Sequence, residues 1–143
     1  MQQVRKNALV PYAASSMFDL VDDIERYPAF LPWCSGAKVL SRSEAEVTAT
    51  VTIGLAGLNA PFTTRNLNQR PGMIRLTLVD GPFQSLEGAW HFKALAQDAC
   101  KVELHLDYEL RSGLLGAALA PAFDQITRSL VDAFVRRAEA KLG

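Results

Sequence analysis

The stretch Met73 to Phe92, MIRLTLVDGPFQSLEGAWHF, constrains the fold of this chain more than any other. It holds two segments of alternating apolar residues, Ile74-Leu76-Leu78 and Leu86-Gly88-Trp90-Phe92, joined by a Gly-Pro turn with Phe83 at its edge. Successive side chains leave a strand on opposite faces, so this period of two predicts a pair of half-buried antiparallel strands. One face of the resulting sheet is greasy and must be covered.

The flanking segments extend the pattern. Gln2 to Val10 reads as a first strand ended by Pro11, which removes a ladder donor. Ala13 to Arg26 changes to a helical period, with Met17, Leu20, Val21 and Ile24 on one side and Asp19, Asp22, Asp23 and Glu25 on a solvated side. Tyr27 to Trp33, YPAFLPW, packs two prolines among large apolar residues. Pro28 suits the first turn of a short helix, and the segment either plugs the end of the core or faces a ligand or lipid. Strands are predicted at Ala37 to Ser43, at Glu46 to Ile53 and at Phe62 to Asn68, with Gly54 to Pro61 as an apolar loop and Gln69 to Gly72 as a turn. Lys101 to Leu110 is the cleanest strand, with Val102, Leu104, Leu106, Tyr108 and Leu110 facing one way and Lys101, Glu103, His105, Asp107 and Glu109 the other. From Leu114 to Leu142 a long amphipathic helix repeats Leu115, Leu119, Phe123, Ile126, Leu130, Phe134 and Ala138. Pro121 either kinks this helix or marks its first turn.

The order of strand, one or two helices, six consecutive strands and a long helix predicts an α+β fold. A meander of about seven antiparallel strands curls around one helix laid on its dry face. That lining exceeds what one helix fills, so an apolar tunnel is expected between them. The whole chain, 1–143, is read as one domain, of a length that buries a substantial core.

The run YPAFLPWCSGAKVL, then FTTRN, the LVDGPF turn, the LEGAWHF strand and the long terminal helix together resemble a known group. It is the coenzyme Q-binding, ribosome-association-toxin (RatA) and oligoketide-cyclase-like group of the START-like superfamily. The resemblance runs through the chain in order. It implies a helix-grip fold around a hydrophobic tunnel and no shared catalytic residues. For some members it implies ubiquinone binding in support of respiration, and for bacterial members toxins that bind the large ribosomal subunit and block subunit association.

A polyprenyl quinone is almost wholly apolar, and each methylene removed from water contributes about 0.8 kcal/mol, so an apolar tunnel with one or two hydrogen-bonding groups suffices for it. The expected lining is Val51, Ile53, Phe62, Leu76, Leu78, Trp90, Leu104, Leu106 and Tyr108 from strands, Leu119, Phe123 and Ile126 from the helix, and Phe30, Leu31, Trp33 and Phe83 from loops. Ordinary core packing is the competing reading for each of these alone. The expected ligand is therefore ubiquinone or a similar lipid, with no cofactor required.

Catalysis has little support. No GxSxG, HExxH, P-loop or GxGxxG run is present, and a cyclase activity would rest on fold analogy. A three-residue loop at Gln97 to Ala99 would set His91 opposite His105, with Glu103 and Asp107 diagonal to them, on an open face that favours solvated residues over a metal site. Cys34 and Cys100 lie in no metal or redox spacing and are expected as buried free thiols.

Fifteen basic and fifteen acidic residues cancel, which argues against DNA as a partner. Contact with the large ribosomal subunit would depend on clustering among Arg65, Arg70, Arg75, Arg128, Arg136 and Arg137. Transient membrane contact through Gly113 to Phe123 and Tyr27 to Trp33, taken to share the tunnel mouth, is a further expectation. The N-terminus lacks a signal-like apolar run and no segment is long enough to span a bilayer, so the expected location is cytoplasmic, including the inner membrane face.

Overall fold

The computed structural model describes residues 1–55 and 57–143. In chain order the elements are β1 (Gln2–Val10), α1 (Ala14–Asp22), a 3-10 turn (Ile24–Arg26), α2 (Tyr27–Phe30), β2 (Cys34–Arg42), β3 (Glu46–Leu55), β4 (Leu58–Gln69), β5 (Met73–Asp80), β6 (Phe83–Ala96), β7 (Ala99–Leu110) and α3 (Leu114–Leu142). The seven strands form one antiparallel sheet in the order β1-β7-β6-β5-β4-β3-β2. Six strands meander, and β1 returns to pair with β7, Val4 opposite Leu106. This is the expected α+β architecture, with α3 across the dry face.

Alternation decides that face. On β7, Val102, Leu104, Leu106 and Tyr108 are buried, and on β3 Val47, Ala49 and Ile53 are buried. The C-terminal half of α3 and α1 pack Val131, Phe134, Met17 and Phe18 against Trp90, Phe92 and Leu104. Its N-terminal half packs Leu119, Phe123 and Ile126 against Phe83, Leu86, Leu106 and Tyr108. Phe123 is the centre of the second group, with ring centroids 4.7 Å from Tyr108 and 4.9 Å from Phe83. Truncating a ring held this way removes about 3–5 kcal/mol of stability.

Several boundaries differ from expectation, each for a local reason. The single helix predicted over Ala13 to Arg26 breaks after Asp22. Its carbonyl is taken by Arg42 Nη2 at 3.0 Å, and the Arg26 amide bonds the Asp23 carbonyl instead. The break lets Ile24 leave the α1 stripe and pack on Val47 and Ala49. The loop predicted at Gly54 to Pro61 is mostly ladder, since β3 runs to Leu55 and β4 starts at Leu58, with Leu55 opposite Leu58. Ala56 lies outside the described residues. Strand β2 begins at Cys34, earlier than its apolar pattern shows, because bulges at Ser35 and Leu40 interrupt its period.

Phe83 is not at an opening. The turn is confined to Gly81 and Pro82, and Phe83 opens β6 with its ring 1% exposed. The β6–β7 hairpin closes on Gln97 and Asp98, with Ala96 opposite Ala99 and a bulge beside it. His91 therefore faces Glu103, and His105 faces Ala89. A Cβ on Gly88 would stand 2.1 Å from the His105 carbonyl oxygen, so that rung of the dry face carries no side chain. In α3, Pro121 lies inside a continuous helix that begins at Leu114.

Candidate functional site

A cavity of about 100 Å³ lies between the sheet and α3. Eight of the expected residues line it: Trp33, Val51, Phe62, Leu76, Trp90, Leu106, Phe123 and Ile126. Phe30 and Leu31 instead border an open groove of about 540 Å³ between the Tyr27 to Trp33 segment, Leu55 and one side of α3. Trp33 and Ile126 border both spaces and form the partition between them. Ile53, Phe83, Leu104, Tyr108 and Leu119 are closed into the core, and Leu78 packs on its edge, all away from the cavity.

The segment YPAFLPW answers both readings made of it. Leu31 is 1% exposed and plugs the core, whereas Phe30 and Trp33 are half-buried at the groove. Phe30 stacks edge-on against Tyr27 and Phe134, and the Arg137 guanidinium lies 4.7 Å from its ring centroid. Tyr27 donates its hydroxyl to the Val21 carbonyl, and burial pushes its ionisation well above the ordinary tyrosine range. It is a fixed neutral wall of the cavity.

The polar part of the lining comes from β4. Thr64 and Asn66 share the inward parity of Phe62, and Asn66 is 7% exposed. The Thr64 hydroxyl donates to Asn66 Oδ1 at 2.8 Å, so the oxygen of the amide is engaged within β4 and Nδ2 is its donor end. Thr127 also borders the space, but its hydroxyl is spent on the Phe123 and Asp124 carbonyls at 3.0 and 3.1 Å. Counting by twos from Phe62 along FTTRNLN would have found Thr64 and Asn66. Hydrophobicity alone passes over them.

A second polar cluster joins α1 to the sheet. Asp22, read as a solvated residue, is 7% exposed and receives Arg42 Nη1 and Arg70 Nη2 at 3.0 Å and Asn68 Nδ2 at 3.1 Å. Arg70 also bonds Asp19 and lies 4.4 Å above the Phe18 ring. These groups neutralise one another and hold α1 in place.

The histidines stand on the outer face, ring centroids 5.6 Å apart. Glu103 between them accepts Lys93 at 3.1 Å, His105 at 3.3 Å and Lys101 at 3.5 Å. The Lys93 bond holds its carboxyl below the usual range. Burial, and then the neighbouring His105, keep His91 below the ordinary histidine value. Among the described residues no three His, Cys, Asp or Glu side chains converge to hold a metal. Cys34 and Cys100 are buried free thiols, and burial raises both above the ordinary cysteine value. Cys100 is on the core face, so the sheet separates it from His91.

Of the six arginines weighed as basic surface, Arg65 pairs with Glu46 at 2.9 Å, Arg128 with Asp124 at 3.0 Å, and Arg70 with Asp19 and Asp22. Arg75 stands on the outer sheet face, and Arg136 and Arg137 border the groove. The two segments expected to share a membrane-facing mouth meet only at the end of the second, where Ala122 borders the groove with Phe30 to Trp33 and Phe123 borders the cavity with Trp33. The start of the second segment is remote from that groove: Leu114, 93% exposed, is about 12 Å before Ala122 along the helix axis. No helix among the described residues is long and apolar enough to cross a membrane.

The family model described as polyketide cyclase / dehydrase and lipid transport matches residues 10–135. The chain belongs to that family. Within it, the chain is 46% identical to the ribosome association toxin RatA of Vibrio cholerae, covering 100% of this chain and 99% of that protein. It is 44% identical to the RatA of Pseudomonas aeruginosa, covering 98% and 97%. A mitochondrial coenzyme Q-binding protein COQ10 homolog B of Xenopus laevis is more distant, at 25% identity over 93% of this chain and 56% of that protein. Among solved structures, the Zhui aromatase/cyclase of Streptomyces sp. R1128 superposes with a TM-score of 0.85 at 14% identity, over 99% and 96% of the two chains. A START superfamily protein of Mycobacterium smegmatis gives 0.79 at 22%, over 96% and 97%. At such identities these two structures speak for the START-like fold of the polyketide cyclase / dehydrase and lipid transport family, and for nothing finer.

Proposed function

We propose that this chain acts as a RatA-type ribosome-association toxin, a non-enzymatic protein that binds the large ribosomal subunit. The observation that carries this reading is identity of 46% and 44% across nearly the full length of two proteins of that name, against 25% for the coenzyme Q-binding relative. The order of the two readings drawn from the sequence is thereby reversed. Neutral net charge leaves any phosphate contact to local clusters, and Arg136 with Arg137 at the C-terminal end of α3 is the best placed. Purified protein should co-sediment with large subunits at low salt and release as salt rises, and its expression should arrest growth. A chain that neither co-sediments nor slows growth does not have this function.

A second reading, binding of an apolar ligand such as a polyprenyl quinone, is favoured by one observation: the cavity between sheet and helix has an apolar lining and a single free amide. At about 100 Å³ it is smaller than the roughly 150 Å³ space that takes up benzene, so only a ring-sized group enters with slight widening. A long tail has to lie elsewhere.

A further inference from the structure

We infer that Asn66 is the specificity-determining residue of this cavity, and that it holds the carbonyl oxygen of a ligand bound ring-inward, with its apolar tail leaving between Trp33 and Ile126 into the outer groove. This rests on the second reading above and adds the recognising group and the orientation.

Three observations converge on it. Asn66 is 93% buried by its 7% exposure, and it borders a largely apolar space in which the hydroxyls of Tyr27, Thr64 and Thr127 already donate to protein acceptors. A hydrogen bond made in such a space discriminates a ligand that carries an acceptor from one that does not by up to about tenfold. The Thr64 hydroxyl engages Asn66 Oδ1 at 2.8 Å, which fixes the amide and presents Nδ2, a donor. The matching ligand atom is therefore an acceptor, such as a ring carbonyl.

The volumes decide the orientation. The inner space of about 100 Å³ is filled by a ring, whereas the groove of about 540 Å³ falls in the range that accommodates a drug-sized molecule. The groove is walled by Phe30, Leu31, Leu55, Ala133 and Ala140, which offer an alkyl chain contact, while Gln125, Ser129, Arg136 and Arg137 form its polar border. Trp33 and Ile126, shared by both spaces, are where the chain crosses. The reverse orientation would put a tail into a space too small for it and leave the Asn66 amide unpaired.

The test uses two probes with the same tail, 2-decyl-1,4-benzoquinone and decylbenzene, titrated calorimetrically into the whole protein. The expected result is that the quinone binds about tenfold more tightly than decylbenzene, that Asn66→Leu abolishes this preference while decylbenzene binding persists, and that Ile126→Trp blocks both. Folding of each variant is checked by circular dichroism. An independent readout on the unaltered protein is the infrared C=O stretch of the bound quinone, expected to shift to lower frequency for one carbonyl. Equal affinity for the two probes, an unshifted stretch, or a preference that survives Asn66→Leu overturns the assignment of Asn66 and leaves the cavity as an apolar site. Binding of neither probe overturns the assignment together with the ligand reading on which it rests.

Discussion

Asp22 illustrates how much one residue contributes when several elements meet on it. Its carboxylate takes two guanidiniums and one amide, and its carbonyl a further guanidinium nitrogen, so α1, β2 and β4 are joined at one point. Replacing a buried partner leaves the others uncompensated, but Arg42 and Arg70 have side chains 39% and 46% exposed, which lets water take over part of the role. Asp22→Asn is expected to cost about 1–3 kcal/mol in a urea titration, and Asp19→Asn, at a carboxylate 62% exposed, less than about 1 kcal/mol. Equal losses would show that burial of Asp22 is not what gives the cluster its strength. In sequence Asp22 stands among Asp19, Asp23 and Glu25, and its helical position alone placed it with them on the wet side. Arg42 and Arg70, which draw it inward, are remote in the chain and invisible to any local pattern.

At the scale of elements, α3 and β4 carry opposite lessons. The bounds of α3, Leu114–Leu142, follow from its apolar period, and packing of that face overrides the poor fit of Pro121. Proline lacks the amide that would bond the preceding turn and is about 3 kcal/mol less favourable than alanine in a helix interior. Pro121 is exposed, so Pro121→Ala is expected to raise stability by up to about 3 kcal/mol, read as a higher thermal midpoint. A lowered midpoint would mean that the proline ring contributes to how α3 sits on the sheet. In β4 the apolar signal is weak because Thr64, Asn66 and Asn68 occupy inward positions, and the parity of Phe62 was the only clue to them. The β6–β7 hairpin shows the same limit in another form. Both strands are legible from alternation, but the pairing of His91 with Glu103 is set by a two-residue closure and a bulge that composition does not reveal.

For the molecule as a whole, closure of the sheet is the non-local event. β1 supplies Val4 and Val10, 0% and 4% exposed, and it pairs with β7 from the other end of the chain. Removing Met1 to Val10 strips an edge from β7 and opens both core groups, so this truncation is expected to abolish a cooperative unfolding transition. Removing Leu142 and Gly143, both exposed, should leave the transition in place. A cooperative transition after loss of β1 would show that the remaining six strands and α3 form a sufficient core.

The alternating run from Met73 to Phe92 and the long amphipathic helix were enough to determine the α+β class, the strand sequence and the dry face, because hydrophobic period is a local consequence of backbone geometry. Which dry-face residues line a space and which are closed into the core was decided only by tertiary packing. Phe83 and Leu104 share the apolar character of Trp33 and Ile126, yet the rings of Phe123, Tyr108 and Phe62 bury Phe83, the group around Trp90, Phe92 and Phe134 buries Leu104, and the partition at Trp33 and Ile126 leaves room beside itself. The size of that room depends on how far α3 stands from a curled sheet. That distance is the sum of many side-chain volumes from strands far apart in the chain, and no stretch of sequence contains it.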